Sequence, residues 1–224
     1  MFDLVKKENL IFAILQEFMK HGLFFVIVGG YAVSAYKHRF SVDADIILKK
    51  GDLEKFDEIL KKNKFVKSLY KKLEHVYASE YFRYETKEKP AASVDLLVNG
   101  IGSRTTNASF SIEQIGKYSK LRKITGIEKE IELIVPEKEI LIALKIHAGR
   151  LTDFRDIAAM CKNIDIELVR NFINIGDKKV IINNIKMLLS LIEKKEFIDS
   201  FKGVFQEKKY DIDINEIKKL KQLL

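Results

Sequence analysis

Cysteine, proline and tryptophan are nearly missing from this 224-residue chain, which has one, two and none of them. With Cys161 alone no internal disulfide can form, which excludes the disulfide-stapled secreted scaffolds and favours a cytoplasmic address. So few prolines exclude collagen-like and proline-rich sequences. No long hydrophobic run is present either. The longest, residues 23–28 continuing into Gly29 and Gly30, falls far short of the roughly 20 residues that cross a bilayer, so no membrane span is expected. Lys6 and Lys7 are followed by Glu8 and Gln16 without a small-residue cleavage site, which argues against a signal peptide. His21, His38, His75 and His147 share no metal-ligand spacing with one another or with Cys161, so no zinc site is expected.

What is present fits an ordinary globule: 47% hydrophobic residues provide a core and 32% charged residues keep it dispersed. The length suits one large domain or two small ones. Forty basic against thirty-two acidic residues give a formal charge of +8. That balance favours phosphate-rich partners, although nucleotide bias or a high growth temperature enriches lysine in the same way.

Apolar positions at helical spacing over residues 4–20 predict a helix that stops at Gly22. Residues 23–28 form a continuous Phe/Val/Ile run, the pattern of a strand buried on both faces, leading into Gly29-Gly30. A short helix over residues 31–37 and a second strand over 42–48 follow. Asp52 is expected to cap the next helix and Asn63 to stop it. Strands are expected over 65–70, 75–84 and 93–98, and a hairpin over 119–135 around Thr125-Gly126. Beyond that only helical patterns appear, with Pro136-Glu137 in first-turn positions, Thr152-Asp153 and Asp165 as caps, and amphipathic helices to Leu224. The division is a mixed α+β half over residues 1–135 and a helical half over 136–224.

The chemistry concentrates at Ser41-Val42-Asp43-Ala44-Asp45. Side chains alternate faces along a strand, so Asp43 and Asp45 project the same way and face a cleft if Val42, Ala44 and Ile46 pack inward. Two carboxylates this close repel, and a divalent cation preferring oxygen makes the pair favourable. Mg²⁺ commonly combines one or two carboxylates with substrate phosphates, which points to a nucleoside triphosphate. Asp95 sits in a strand otherwise suited to burial, where an acid is costly unless paired or metal-bound. On a strand beside Asp43 and Asp45 it would supply a third carboxylate. Gly29-Gly30, lacking Cβ atoms before a helix N-terminus, lets the backbone approach a phosphate closely.

Gly29-Gly30 followed by His38-Arg39-Phe40-Ser41-Val42-Asp43-Ala44-Asp45 resembles the polymerase-beta-like nucleotidyltransferase superfamily. Within it the chain is most similar to the abortive-infection (AbiEii-type) toxin branch, because the helix pair with Lys145, Arg150, Asp153, Asp156 and Ile157 looks like that branch's. The resemblance implies a mixed-sheet core followed by a helical domain. It implies two Mg²⁺ (or Mn²⁺) ions on Asp43, Asp45 and Asp95, and transfer of a nucleoside monophosphate to a hydroxyl. Asp43 and Asp45 would bridge the metals and Asp95 would hold the one near the attacking hydroxyl. Gly29 and Gly30 would lie against the triphosphate, with Lys145 on phosphate oxygens. Many members carry a serine directly after the glycines; here Tyr31 follows, leaving Ser34 or Ser41 as substitutes.

Arg39 is either a triphosphate contact or a surface cation beside the acids. Lys145 has the alternative of an ordinary exposed helix lysine, while Arg150, Asp153, Arg155 and Asp156 fit ion pairs better than catalytic roles. Tyr77, Tyr81, Phe82 and Tyr84 fit strand packing better than base stacking. The leading expectation is an enzyme that transfers a nucleotide to a hydroxyl on RNA, protein or a small molecule. The basic balance tilts toward tRNA or another nucleic acid, the resemblance is compatible with a toxin paired with a separate antitoxin protein, and antibiotic-type adenylylation uses the same core. The rival from another class is a catalytically idle nucleotide-binding or interaction module.

Overall fold

A computed structural model describes residues 2–205 and 212–224, with Phe2, Lys202 and Gly203 in backbone alone. Helix α1 (Phe2–Lys20) is followed by β1 (Phe25–Val28), α2 (Gly29–Ser34), β2 (Asp43–Leu48), α3 (Leu53–Lys62), β3 (Phe65–Lys72), β4 (Glu80–Thr86) and β5 (Ser93–Val98). The five strands form one mixed sheet in the order β1-β2-β5-β4-β3. β2 and β5 are parallel, and every other neighbouring pair is antiparallel. One face is apolar: Phe25, Leu48 and Val98 lie across it in register, and the rings of Phe18, Phe25 and Phe56 pack with centroids 4.6–6.1 Å apart. That cluster binds α1 and α3 to the sheet through large apolar burial. The opposite face carries Asp43, Asp45 and Asp95.

Two small pairings follow, β6 (Gly100–Gly102) with β7 (Ser109–Ser111) and, after α4 (Ile112–Gly116), β8 (Ser119–Thr125) with β9 (Glu130–Pro136). The first of these and α4 have no counterpart in the sequence expectations. From there every described element is helical: α5 (Lys138–Ala148), α6 (Leu151–Met160), α7 (Ile166–Ile173), α8 (Lys178–Leu191), α9 (Lys195–Asp199) and α10 (Ile214–Lys218), with short 3-10 turns between them. The buried apolar residues form one cluster through both halves of the chain. The expected run of helices to Leu224 also spans residues 206–211, which lie outside the described residues.

Four local expectations are corrected. Pro136 ends β9 opposite Ser119 instead of starting a helix, because a proline lacking its N–H is tolerated at a strand end as well as in a first turn. Thr152 and Asp153 lie inside the first turn of α6, whose cap is Arg150; Asp153 accepts from the Arg150 backbone N–H. Asp52 precedes α3 in a 3-10 turn and its side chain caps nothing, lying 3.4 Å from Lys55 Nζ instead. Ala44 and Ile46 are fully buried as expected, but Val42, just before the strand, is 53% exposed. Asp165 does cap α7, accepting from Glu167 and Leu168 N–H groups.

Candidate active site

Strand register builds the site. Asp45 stands directly opposite Asp95 across the parallel β2–β5 pair, and Asp43 lies two residues earlier on the same face. Val28, the last residue before the Gly29-Gly30 turn, is opposite Asp45 across β1–β2. The turn and the acids are thus neighbours by hydrogen-bond register alone. Gly29 has φ +66°, and a Cβ there would overlap the Asp45 carboxylate. On Gly30 it would overlap the Ser41 hydroxyl and come 3.4 Å from Arg39 Nη2. Only glycine satisfies both positions, for backbone conformation at the first and for space at both.

Burial, then the charges of Asp43 and Asp95, push the Asp45 carboxyl up to about 7, against the opposing pull of Lys145 and Arg150. Asp95 is buried, and both its oxygens are taken by one residue absent from the sequence expectations. Arg83 Nε donates to Oδ1 at 2.7 Å and Nη2 to Oδ2 at 2.6 Å, while Nη2 also reaches Asp43 Oδ2 at 3.3 Å. Arg83 is directly opposite Asp95 across β4–β5. Its signal in the sequence is only a cation between Phe82 and Tyr84 in a strand; nothing local says which strand it faces. Tyr81 shares that face, its hydroxyl pushed upward by burial and by the neighbouring Asp95.

Among the described residues, no group of three or more His, Cys, Asp or Glu side chains is gathered as a cation-binding set. The donor chemistry nevertheless differs within the cluster. Asp43 and Asp45, paired oxygen donors on one strand face, suit a hard divalent cation, whereas the oxygens of Asp95 are satisfied by the guanidinium.

Lys145 is 7% exposed, which overturns its reading as an exposed helix lysine. Its Nζ lies 2.6 Å from Asp156 and 3.2 Å from Asp153. Arg39 also grips Asp156, with Nη1 at 2.5 and 2.6 Å from its two oxygens, and Arg150 Nε lies 2.7 Å from Asp153. Burial acting alone would raise Asp153, but Arg150 and Lys145 hold it below the usual carboxylate range. These two aspartates therefore orient three cations beside Gly30 and Asp45. Ser34 is tied to the carbonyls of Gly30 and Arg39, and buried Tyr31 donates to the Ser41 carbonyl. Both substitute serines touch the glycine turn, Ser34 through its bond to the Gly30 carbonyl and Ser41 with its hydroxyl where a Gly30 Cβ would lie.

Beside Arg150 a cavity of about 420 Å³ opens, walled by Ile101, Phe110, Leu144 and the 102–105 loop. His147 secures that wall. Its Nε2 faces the Phe172 carbonyl and so carries the proton, leaving Nδ1 to accept from Thr106 Oγ1. Burial, opposed by that hydrogen bond, pulls its pKa down, so the ring stays neutral. Phe82 and Tyr84 are buried in the sheet, as the packing expectation held, while Tyr77 is 42% exposed.

By sequence the chain matches no protein-family model, and comparison with curated proteins finds no match. Solved structures share its fold. The antibiotic-resistance factor ANT(2'')-Ia is similar at a TM-score of 0.53 and 14% identity, over 76% of this chain and 91% of that one. JHP933 from Helicobacter pylori is similar at a TM-score of 0.51 and 15% identity, over 98% of this chain and 89% of its own. The lincosamide antibiotic adenylyltransferase LnuA, in its lincomycin-bound structure, gives 0.46 and 18%, over 70% of this chain and 98% of that one. At such identities the likeness to the first two concerns the fold alone, a mixed α+β fold.

Proposed function

We propose that this chain is a metal-dependent nucleotidyltransferase that moves a nucleoside monophosphate from a nucleoside triphosphate to a hydroxyl acceptor. One observation carries the reading: Asp45 and Asp95 are register partners on parallel strands, with Asp43 on the same face and the glycine turn against Asp45. Asp43 and Asp45 would hold Mg²⁺ or Mn²⁺, which when bound supplies charge neutralisation at the phosphates. Two cations, as the superfamily resemblance implies, would require Asp95 to exchange Arg83 for metal.

The chain's own groups account for the rest. Gly29 and Gly30 would lie against the triphosphate, their missing Cβ atoms letting Asp45 and Ser41 pack onto the turn, and Arg39 and Ser41 beside Gly30 would present donors suited to phosphate oxygens. Lys145, fixed by Asp153 and Asp156, adds a positive potential from the helical half. The acceptor oxygen bonds to the α-phosphorus as the bond to the β-phosphate oxygen breaks, pyrophosphate leaving with that electron pair and the hydroxyl proton passing to the acid cluster. On this reading residues 1–135 form the catalytic half, which carries the three acids, and 136–224 the helical half, which would contribute Lys145.

For the acceptor we favour RNA, tRNA included. The +8 charge and the exposed Lys67, Lys71 and Lys72 along edge strand β3 suit a polyanion. A toxin of the AbiEii type, held by an antitoxin protein in the cytoplasm, is consistent with such an acceptor. The cavity beside Arg150, of a size that suits a small acceptor, favours a second reading, a small-molecule adenylyltransferase.

Incubation with each labelled triphosphate, Mg²⁺ and either total RNA or small-molecule extract distinguishes these. Label is expected in RNA, falling about a hundredfold or more in Asp43→Ala and Asp95→Asn. Incorporation that survives both substitutions refutes the residue assignment, and none under any condition leaves the idle binding module.

A further inference from the structure

Arg83 converts the third acid from a vacant ligand into one half of an ion pair. The Asp95 side chain is 4% exposed, and each of its oxygens receives its own N–H from the same guanidinium. A forked, charge-assisted pair of this kind fixes both partners in position. The sheet itself sets the contact, since Arg83 and Asp95 are directly paired residues on adjacent strands. The same guanidinium spans to Asp43 at 3.3 Å, across the gap that would separate two cations sharing the three acids.

We propose that Arg83 takes the place of a second divalent cation, so that this site works with one cation, held by Asp43 and Asp45, and a guanidinium fixed on Asp95. The proposal rests on the nucleotidyl-transfer reading and refines it. Charge supports it. Three carboxylates with one guanidinium carry a formal charge of −2, which a single divalent cation cancels, so the guanidinium removes part of the charge a second cation would otherwise offset. Geometry supports it as well. A cation on Asp95 must first displace the guanidinium, leaving an arginine one-third exposed between two metal-bound acids with no carboxylate of its own. Unlike a metal ion, a guanidinium forms no coordination bond with a hydroxyl oxygen and acts on it only through charge and hydrogen bonding. Arg83 would therefore act by orienting Asp95 toward the acceptor and by carrying positive charge beside the reacting phosphate.

Electron paramagnetic resonance of Mn²⁺ tests this on the full chain with a non-hydrolysable triphosphate analogue, without relying on turnover. Two Mn²⁺ ions about 3.5–4 Å apart couple magnetically, whereas a lone ion gives the uncoupled pattern. The wild-type complex is expected to hold one ion with the uncoupled spectrum, and Arg83→Gln to take up a second and show a coupled pair. A coupled pair in the wild type overturns the proposal and leaves the transferase reading intact. So does an uncoupled, one-ion spectrum in an Arg83→Gln protein with a cooperative melting curve. If Arg83→Gln does not fold, the wild-type count decides alone, one ion supporting the proposal and two overturning it. A wild-type spectrum identical to that of the analogue with Mn²⁺ in buffer removes both the proposal and the transferase reading.

Discussion

Asp45 bears the largest electrostatic tension in the site, crowded by protein and flanked by two further acids. A carboxyl raised to about 7 in the folded chain still holds its proton where the unfolded chain has lost it, between about pH 4 and 7. The folded state then binds more protons, so stability falls as pH rises through that window and levels off above it. Asp45→Asn removes this penalty. In metal-free buffer its melting temperature should match the wild type below pH 4 and exceed it by about 5 °C or more at pH 8. Equal curves at pH 8 would show that Asp45 is not strained by its neighbours.

Helices α5 and α6 contribute their charges as a unit. Lys145 comes from one, Asp153 and Asp156 from the other, and Arg39 reaches them from the segment before β2. Such a network gains little from each pair once desolvation is counted, but removing one member strands buried charge. Asp156→Asn takes the carboxylate from Arg39 and the nearer partner from Lys145. Urea denaturation is expected to show a loss of roughly 3–5 kcal/mol, and triphosphate affinity should weaken because Arg39 loses its anchor beside Gly30. A variant as stable as the wild type would mean the network rearranges freely.

The molecule as a whole joins its two halves through one apolar cluster, so events at the acids should be felt in global unfolding. A ligand at 100 times its dissociation constant stabilises by about 2.7 kcal/mol, which for a chain this size is roughly 5–10 °C in Tm. Millimolar Mg²⁺ with triphosphate should produce such a shift in the wild type and none in Asp43→Ala. An unmoved wild-type melting curve would argue against the site. No described helix is long and apolar enough to cross a membrane.

What could be read from the sequence is what local periodicity governs. A repeat of two puts Asp43 and Asp45 on one face wherever the strand goes, and a buried-type strand around Asp95 demands a partner for its charge. The strand, glycine turn, helix, strand order likewise follows from residues adjacent in the chain. Pairing across the sheet does not. That Asp95 meets Asp45 on one side and Arg83 on the other is set by strand order and register, which depend on packing among residues far apart in sequence. Lys145 reads from the sequence either as a phosphate contact or as a surface lysine, because the two aspartates that pair with it come from the next helix. Which residues could carry the chemistry is written in the order of the chain; their partners come from the folding of distant segments onto one another, because a charge takes its character from what lies within a few ångströms of it in space.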